Sequence, residues 1–264
     1  APEERFQKGD ATAAMLQAPH VLEGVFHSLG QEHFYFETQA ALAIPGEDDQ
    51  ITIHSSTQGP TEIQRVVALV LGIGMHQVVV TCKRMGGGFG GKETQGALPA
   101  VMAALVATAT GRAARMVYRR EEDSESTGKR HAFRANWKIG FDDAGSILAY
   151  CVHLYSDGGA AMDLSPAVME RAMFHADGAY YLEHADIRGR VCFTNFAPAT
   201  AFRGFGGPQG TVVIENALQE VAAYLRERTT THPSAVDVQI RNLYGDEERK
   251  VTPYGQVVHG NHLN

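Results

Sequence analysis

Two glycine loops, and the charged residues within and beside them, are where this chain of 264 residues has the means to hold a ligand. The first runs Met85-Gly86-Gly87-Gly88-Phe89-Gly90-Gly91-Lys92-Glu93. The second runs Ala201-Phe202-Arg203-Gly204-Phe205-Gly206-Gly207-Pro208-Gln209-Gly210. Both contain Gly-Phe-Gly-Gly, with a strand-like run before and a helix-like run after. Residues without Cβ let backbone N–H groups approach a bound group, and a helix start adds oriented donors for negative charge. Two such loops suggest one ligand gripped from two sides; alternatively, the glycines only let each helix pack tightly on its strand.

Neither common glycine motif fits fully. Gly86 to Lys92 satisfies G-x-x-x-x-G-K, but Glu93 stands where a phosphate loop needs a hydroxyl for magnesium, and a carboxylate there would repel a triphosphate. Gly86, Gly88 and Gly91 satisfy G-x-G-x-x-G, yet about twenty residues on, where a ribose-binding acid belongs, the chain has Arg112 to Met116. Phe89 and Phe205 are either core plugs or aromatics that stack on a flat ligand. Taken singly, Glu93, Arg203 and Arg171 read as solvated charges, with Glu170 or Asp163 as the pairing partner of Arg171.

The elements around these residues follow from periodicity. Val21 to Ser28 and His33 to Ile44 alternate like paired strands, Ile51 to Ser55 is a third strand, and a helix follows Thr57-Gln58-Gly59 with Pro60 in its first turn. Gln77 to Lys83 is a strand feeding the first loop, and Ala97 to Ala109 is the helix behind it, ending at Gly111. Arg115 to Tyr118 is a short strand, and Ala132 to Val152 is a strand pair turned at Asp142-Asp143-Ala144-Gly145, with Trp137 packing inside. Leu164-Ser165-Pro166 opens a helix through Met169 to His175 that carries Arg171. Ile187 to Phe193 is a strand, Thr211 to Leu225 a long helix, and His232-Pro233-Ser234 opens a last helix to Leu243. The first twenty residues carry few signals. Sequential strands mixed with helices indicate an α+β fold, with mixed sheets and packed helices.

Composition removes several function classes. With 23 Lys+Arg against 30 Asp+Glu the net charge is −7, without a basic block, so nucleic-acid binding is not expected. The apolar stretch Ala97 to Thr108 is too short to span a bilayer and no signal peptide opens the chain, so no membrane role and a cytoplasmic location are expected. Three isolated cysteines, Cys82, Cys151 and Cys192, offer no iron–sulfur site, and twelve histidines form no zinc motif.

Taken together, Gln31 to Thr38, Ser56-Thr57-Gln58, Lys83 to Glu93, Met169-Glu170-Arg171-Ala172 and Thr200 to Gly210 closely resemble the molybdenum-binding part of the xanthine dehydrogenases, within the xanthine oxidase and aldehyde oxidase family of molybdenum hydroxylases. The stretches occur in family order and cover the chain from about Val21 to Tyr244. The resemblance implies that residues 1–264 are the first, N-terminal molybdopterin-binding domain of a longer polypeptide. It also implies a molybdopterin-bound molybdenum that oxidises a heterocycle with oxygen from water. The metal is held by the pterin dithiolene, so no side chain ligates it directly.

By the same resemblance, the Gln58 amide points at a molybdenum oxo group, and backbone around Phe89, Gly90 and Arg203 contacts the cofactor. Glu93 hydrogen-bonds a purine, Arg171 faces its carbonyl, and Phe205 flanks the ring. Aldehyde oxidases usually have uncharged residues at the positions of Glu93 and Arg171, which favours a purine over an aldehyde. Hypoxanthine would become xanthine and xanthine urate, with electrons leaving through [2Fe-2S] clusters and FAD on other segments or subunits of a homo- or hetero-oligomer. Gly59-Pro60 departs from the asparagine that often follows the glutamine. The family's general base, a glutamate, belongs to a C-terminal molybdopterin domain outside this sequence, so the chain alone is not expected to turn over. Two other readings stand beside this one: an aldehyde or other N-heterocycle hydroxylase, and a noncatalytic anion-binding module.

Overall fold

The computed structural model describes residues 2–230, 232–245 and 249–259. Its elements run β1 (Glu4–Lys8), α1 (Ala11–Gln17), β2 (His20–Ser28), β3 (Ala40–Pro45), β4 (Ile51–Ser55), α2 (Pro60–Leu71), β5 (Val78–Thr81), α3 (Ala97–Thr110), β6 (Ala114–Val117), α4 (Arg120–Ser126), β7 (Phe133–Phe141), β8 (Ile147–Gly159), α5 (Ser165–Phe174), β9 (Ala185–Phe193), α6 (Gly207–Arg228) and α7 (Ala235–Asn242).

Two mixed sheets result, as an α+β fold requires. One has the order β1-β9-β8-β7-β2 and the other β5-β4-β3-β6. In the first, strict alternation along β7 puts Phe133, Ala135, Trp137 and Ile139 on the face covered by α5 and α6, whose Met169, Met173, Ile214, Leu218 and Leu225 complete one core. The β7–β8 hairpin turns where expected, with Asp142 Oδ1 accepting from the N–H groups of Ala144 at 3.0 Å and Ser146 at 2.8 Å. In the second sheet, Ala43, Ile51, Ile53 and Val78 pack on Ile63 and Val67 of α2 and the alanines of α3, forming a separate core. Helix α2 starts at Pro60 and stops at Gly72, whose left-handed φ of 69° lets its N–H close on Ala68 and Leu69 carbonyls.

Two expectations fail. His33 to Ile44 is not one strand paired with Val21 to Ser28: β2 pairs with β7, only Ala40–Pro45 is strand, and β3 lies in the other sheet between β4 and β6. The alternation at 33–39 reflects side chains reaching distant partners, described below. The weakly marked N-terminus holds β1 as an edge strand on β9, and α1, capped by Asp10 accepting from Ala13 N at 2.9 Å. The first glycine loop follows β5 of one sheet, and the second leads into α6 over the other.

Candidate functional site

The first loop is braced from within. Lys92 is fully buried; its Nζ donates to the Glu37 carbonyl and to Ser56 Oγ, both at 2.7 Å, and lies 4.5 Å over the Tyr35 ring. Burial pushes its pKa down against the pull of Glu37 and Asp123. A lysine so placed is a strut and reaches no phosphate, which disposes of the phosphate-loop match. Glu37 Oε2 in turn accepts from Gly86 N at 2.7 Å and Ser56 Oγ at 2.8 Å. Buried Asp123 of α4 accepts from the Tyr35 hydroxyl at 2.6 Å and Gln39 N at 2.7 Å, and Gln39 Nε2 donates to Gly91 O at 2.8 Å.

Gln58 belongs to this assembly and also faces outward. Its Oε1 accepts from Gly90 N at 2.8 Å and Lys92 N at 3.3 Å, and its backbone N–H donates to Lys92 O at 2.8 Å. With the oxygen taken by the loop, the exposed Nε2 group is left to a cavity of about 600 Å³. Gln58, Gly59, Glu62, Glu93, Thr94, Asp163 and Leu164 line it. Burial first, and then the nearby charge of Asp163, raise the Glu93 pKa above the ordinary glutamate value.

The two loops touch each other. Arg203 N donates to Phe89 O at 2.9 Å, and a Cβ on Gly90 would stand 2.6 Å from Ala201 O. His33, one of the histidines that sequence left unassigned, lies beneath the seam with Nε2 2.6 Å from Ala201 O and its ring 4.6 Å from Phe202. Arg130 stacks 3.9 Å over Phe202 and donates from Nη2 to Arg203 O at 2.8 Å. Phe89 and Phe205, the matched aromatics, share a left-handed backbone at φ 51° and 47°, each followed by a glycine at φ 98° or 95°. The repeat is thus one of conformation as well as of letters. The close-packing reading holds for Gly206, where a Cβ would meet Val168 O of α5.

Arg171 and Phe205 sit elsewhere. They line a second cavity, of about 520 Å³, with Ala167, Glu170, Phe174, His175, Tyr254 and Gln256. Helix α5 links the two spaces: Asp163 and Leu164 precede it in the first and Arg171 occupies its last turn in the second. Arg171 is exposed and has no side-chain partner among the described residues, so the pairings with Glu170 or Asp163 are not formed. Sequence reasoning placed no role on His33, Glu37, Gln39, Asp123 or Arg130; their one signal was that the first three fall in or beside the Gln31 to Thr38 stretch.

A family model, the molybdopterin cofactor-binding domain, matches residues 1–231. The chain belongs to that family. This cofactor-binding domain is similar to the xanthine dehydrogenase of Emericella nidulans, at 46% identity over 226 residues, covering 84% of this chain and 17% of the relative. It is also similar to the xanthine dehydrogenase/oxidase of Mus musculus, at 42% over 260 residues, covering 98% of this chain and 19% of the relative. The chain therefore spans less than a fifth of the length of these curated relatives. Among solved structures, the aldehyde oxidoreductase of Desulfovibrio gigas matches with a TM-score of 0.86 at 28% identity, over 97% of this chain and 27% of the other.

The cofactor of the family is molybdopterin with molybdenum, and the residues at the seam fit such a group. Gln58 Nε2 and the exposed Arg203 guanidinium have no hydrogen-bond partner among the described residues, and half-exposed Phe89 is held out by its backbone. No cluster of three or more His, Cys, Asp or Glu able to hold a metal ion occurs among the described residues. No helix among them is long and apolar enough to cross a membrane.

Proposed function

We propose that residues 1–264 form the first molybdopterin-binding domain of a xanthine dehydrogenase that oxidises hypoxanthine to xanthine and xanthine to urate. The observation that carries this reading is the pairing of the Gln58 amide with the half-buried acid Glu93 in one cavity. When bound, molybdopterin-held molybdenum supplies the redox chemistry, with water as the oxygen source.

The chain's residues do the rest. Gln58 Nε2, Arg203 and the backbone of Phe89 and Gly90 hold the cofactor. Glu93 hydrogen-bonds the purine from the first cavity, and Phe205 flanks its ring from the second, the ligand lying along α5 between them. Attack at the imidazole carbon pushes negative charge onto a distant purine oxygen; the unpaired Arg171 guanidinium stabilises that charge more in the transition state than in the ground state. The general base, the C-terminal molybdopterin domain, and the [2Fe-2S] and FAD partners lie on other segments or subunits of a cytoplasmic oligomer.

In the intact enzyme, Arg171→Ala is expected to lower purine kcat/KM by about 10²-fold with molybdenum content unchanged. Undiminished xanthine turnover in that variant removes the purine assignment. The likeness to an aldehyde oxidoreductase favours a second reading, an aldehyde hydroxylase; a panel comparing xanthine with an aromatic aldehyde decides between them. Absence of stoichiometric molybdenum from the intact protein would instead support a noncatalytic anion-binding module.

A further inference from the structure

Asp163 stands one residue before Leu164, the N-cap of the helix that carries Arg171, in a conformation with φ 40° that a non-glycine residue adopts at a cost. Such an outlier at a cavity wall points to a role. Its Oδ2 accepts from Thr94 Oγ1 at 3.1 Å and from Gln95 Nε2 at 3.4 Å, the two residues directly after Glu93. Gln95 is held from its other side, its Oε1 accepting from Gly128 N at 3.0 Å. One carboxylate therefore fastens the end of the first glycine loop to the start of α5.

We propose that Asp163 is a positioning residue for Glu93, fixing it on the cavity wall and standing as a second carboxylate in the same space. What the positioned group does rests on the purine reading; the coupling itself does not.

The groups around the cavity leave Asp163 as the charge that Glu93 faces. Glu62 of α2 is tied to Arg65 by hydrogen bonds of 2.6 and 3.0 Å, which lower its pKa and keep it ionised. His131, beside Asp163 and Asp157, is pushed by burial to about 4 and bonds Ser165 Oγ at 2.7 Å, so at neutral pH it brings no positive charge to offset Asp163. Burial, and then the facing Asp163 carboxylate, raise the Glu93 pKa above the ordinary glutamate value. The two protonation states of Glu93 differ in what they offer a ligand: the acid donates a hydrogen bond, whereas the carboxylate only accepts.

The test uses the intact, molybdenum-loaded enzyme. Asp163→Asn keeps an acceptor for Thr94 and Gln95 but removes the charge, and Asp163→Ala removes both. The Glu93 titration, read in the infrared as the difference between each protein and its Glu93→Gln counterpart, should move to lower pH in Asp163→Asn. Amide hydrogen exchange over residues 94–97 should rise roughly fivefold in Asp163→Ala and stay near the wild-type rate in Asp163→Asn. A Glu93 titration unmoved in Asp163→Asn, or exchange in Asp163→Ala equal to wild type, overturns the proposal. Failure of the wild-type enzyme to oxidise purines overturns the purine reading and leaves both of these readouts measurable, so the two failures are told apart.

Discussion

Gln58 and Gly90 are joined by a 2.8 Å hydrogen bond from the loop N–H to the carboxamide oxygen, so one side chain both pins the first glycine loop and offers its nitrogen to the cavity. The two duties separate by substitution. Gln58→Ala loses the acceptor and is expected to destabilise the chain by about 1–2 kcal/mol in urea unfolding. Gln58→Glu retains an acceptor but no donor, so stability should stay within about 1 kcal/mol of wild type while turnover of the intact enzyme falls at least about tenfold. Full turnover in Gln58→Glu would remove the amide nitrogen from the cofactor site.

Lys92 is a structural cation, and its loss should register as stability. Replacing it with Met deletes the hydrogen bonds to Glu37 O and Ser56 Oγ and leaves their oxygens without that donor. A loss of about 2–4 kcal/mol is expected, measured by denaturant midpoint. A loss below about 0.5 kcal/mol, the size of an ordinary surface change, would contradict the strut role.

Contact between the loops makes Gly90 far less tolerant than a positive-φ glycine in open space, such as Gly111. Gly90→Ala would bring a Cβ to 2.6 Å from Ala201 O at φ 98°, whereas Gly111→Ala, at φ 64°, meets nothing within 4 Å. The first should cost roughly 3 kcal/mol or more and the second about 1 kcal/mol. Equal shifts in thermal midpoint for the two variants would mean that the seam is not close-packed.

Two buried groups make opposing contributions to the pH dependence of stability. Burial lifts Asp177 to about 6, with the Tyr244 hydroxyl bonded to its Oδ2, and burial lowers His131 to about 4. For Asp177 the folded state holds the proton more tightly, so its contribution is present below about pH 4 and is lost as pH rises through 6. For His131 the unfolded state holds the proton more tightly, so its contribution is present above about pH 6.5 and is lost as pH falls through 4. Each is worth on the order of 3 kcal/mol and they largely cancel between pH 4 and 6.5. Asp177→Asn should therefore uncover a rise in unfolding free energy across that window, seen in urea titrations at its two ends. A flat difference between variant and wild type would refute the assignment.

Local signals carried much of the fold. Pro60 and Gly72 mark the ends of α2, Asp142 to Gly145 the hairpin, and Ser165-Pro166 the first turn of α5, because caps and turns are decided by neighbours in sequence. Residues 33–39 were misread because their alternation serves contacts far along the chain: His33 with Ala201, Tyr35 with Asp123, Glu37 with Gly86. Periodicity cannot tell a strand from an irregular segment with alternating anchors. The division of Glu93 and Arg171 between two cavities was equally hidden, since it depends on where α5 lies. The bracing of the glycine loop by Lys92 was masked by a motif that assigns lysine the opposite task.

The paired phenylalanines differ in what they return to the fold. Phe205 packs partly against the larger core, whereas Phe89 is 49% exposed while holding a left-handed backbone that glycine would adopt freely. By folding criteria alone, residue 89 is a poor choice, and Phe89→Gly should leave the chain at least as stable as wild type. A protein that keeps an unfavourable aromatic on a loop tip gives up robustness there, and its ring stands fixed in the open with no rearrangement of the backbone.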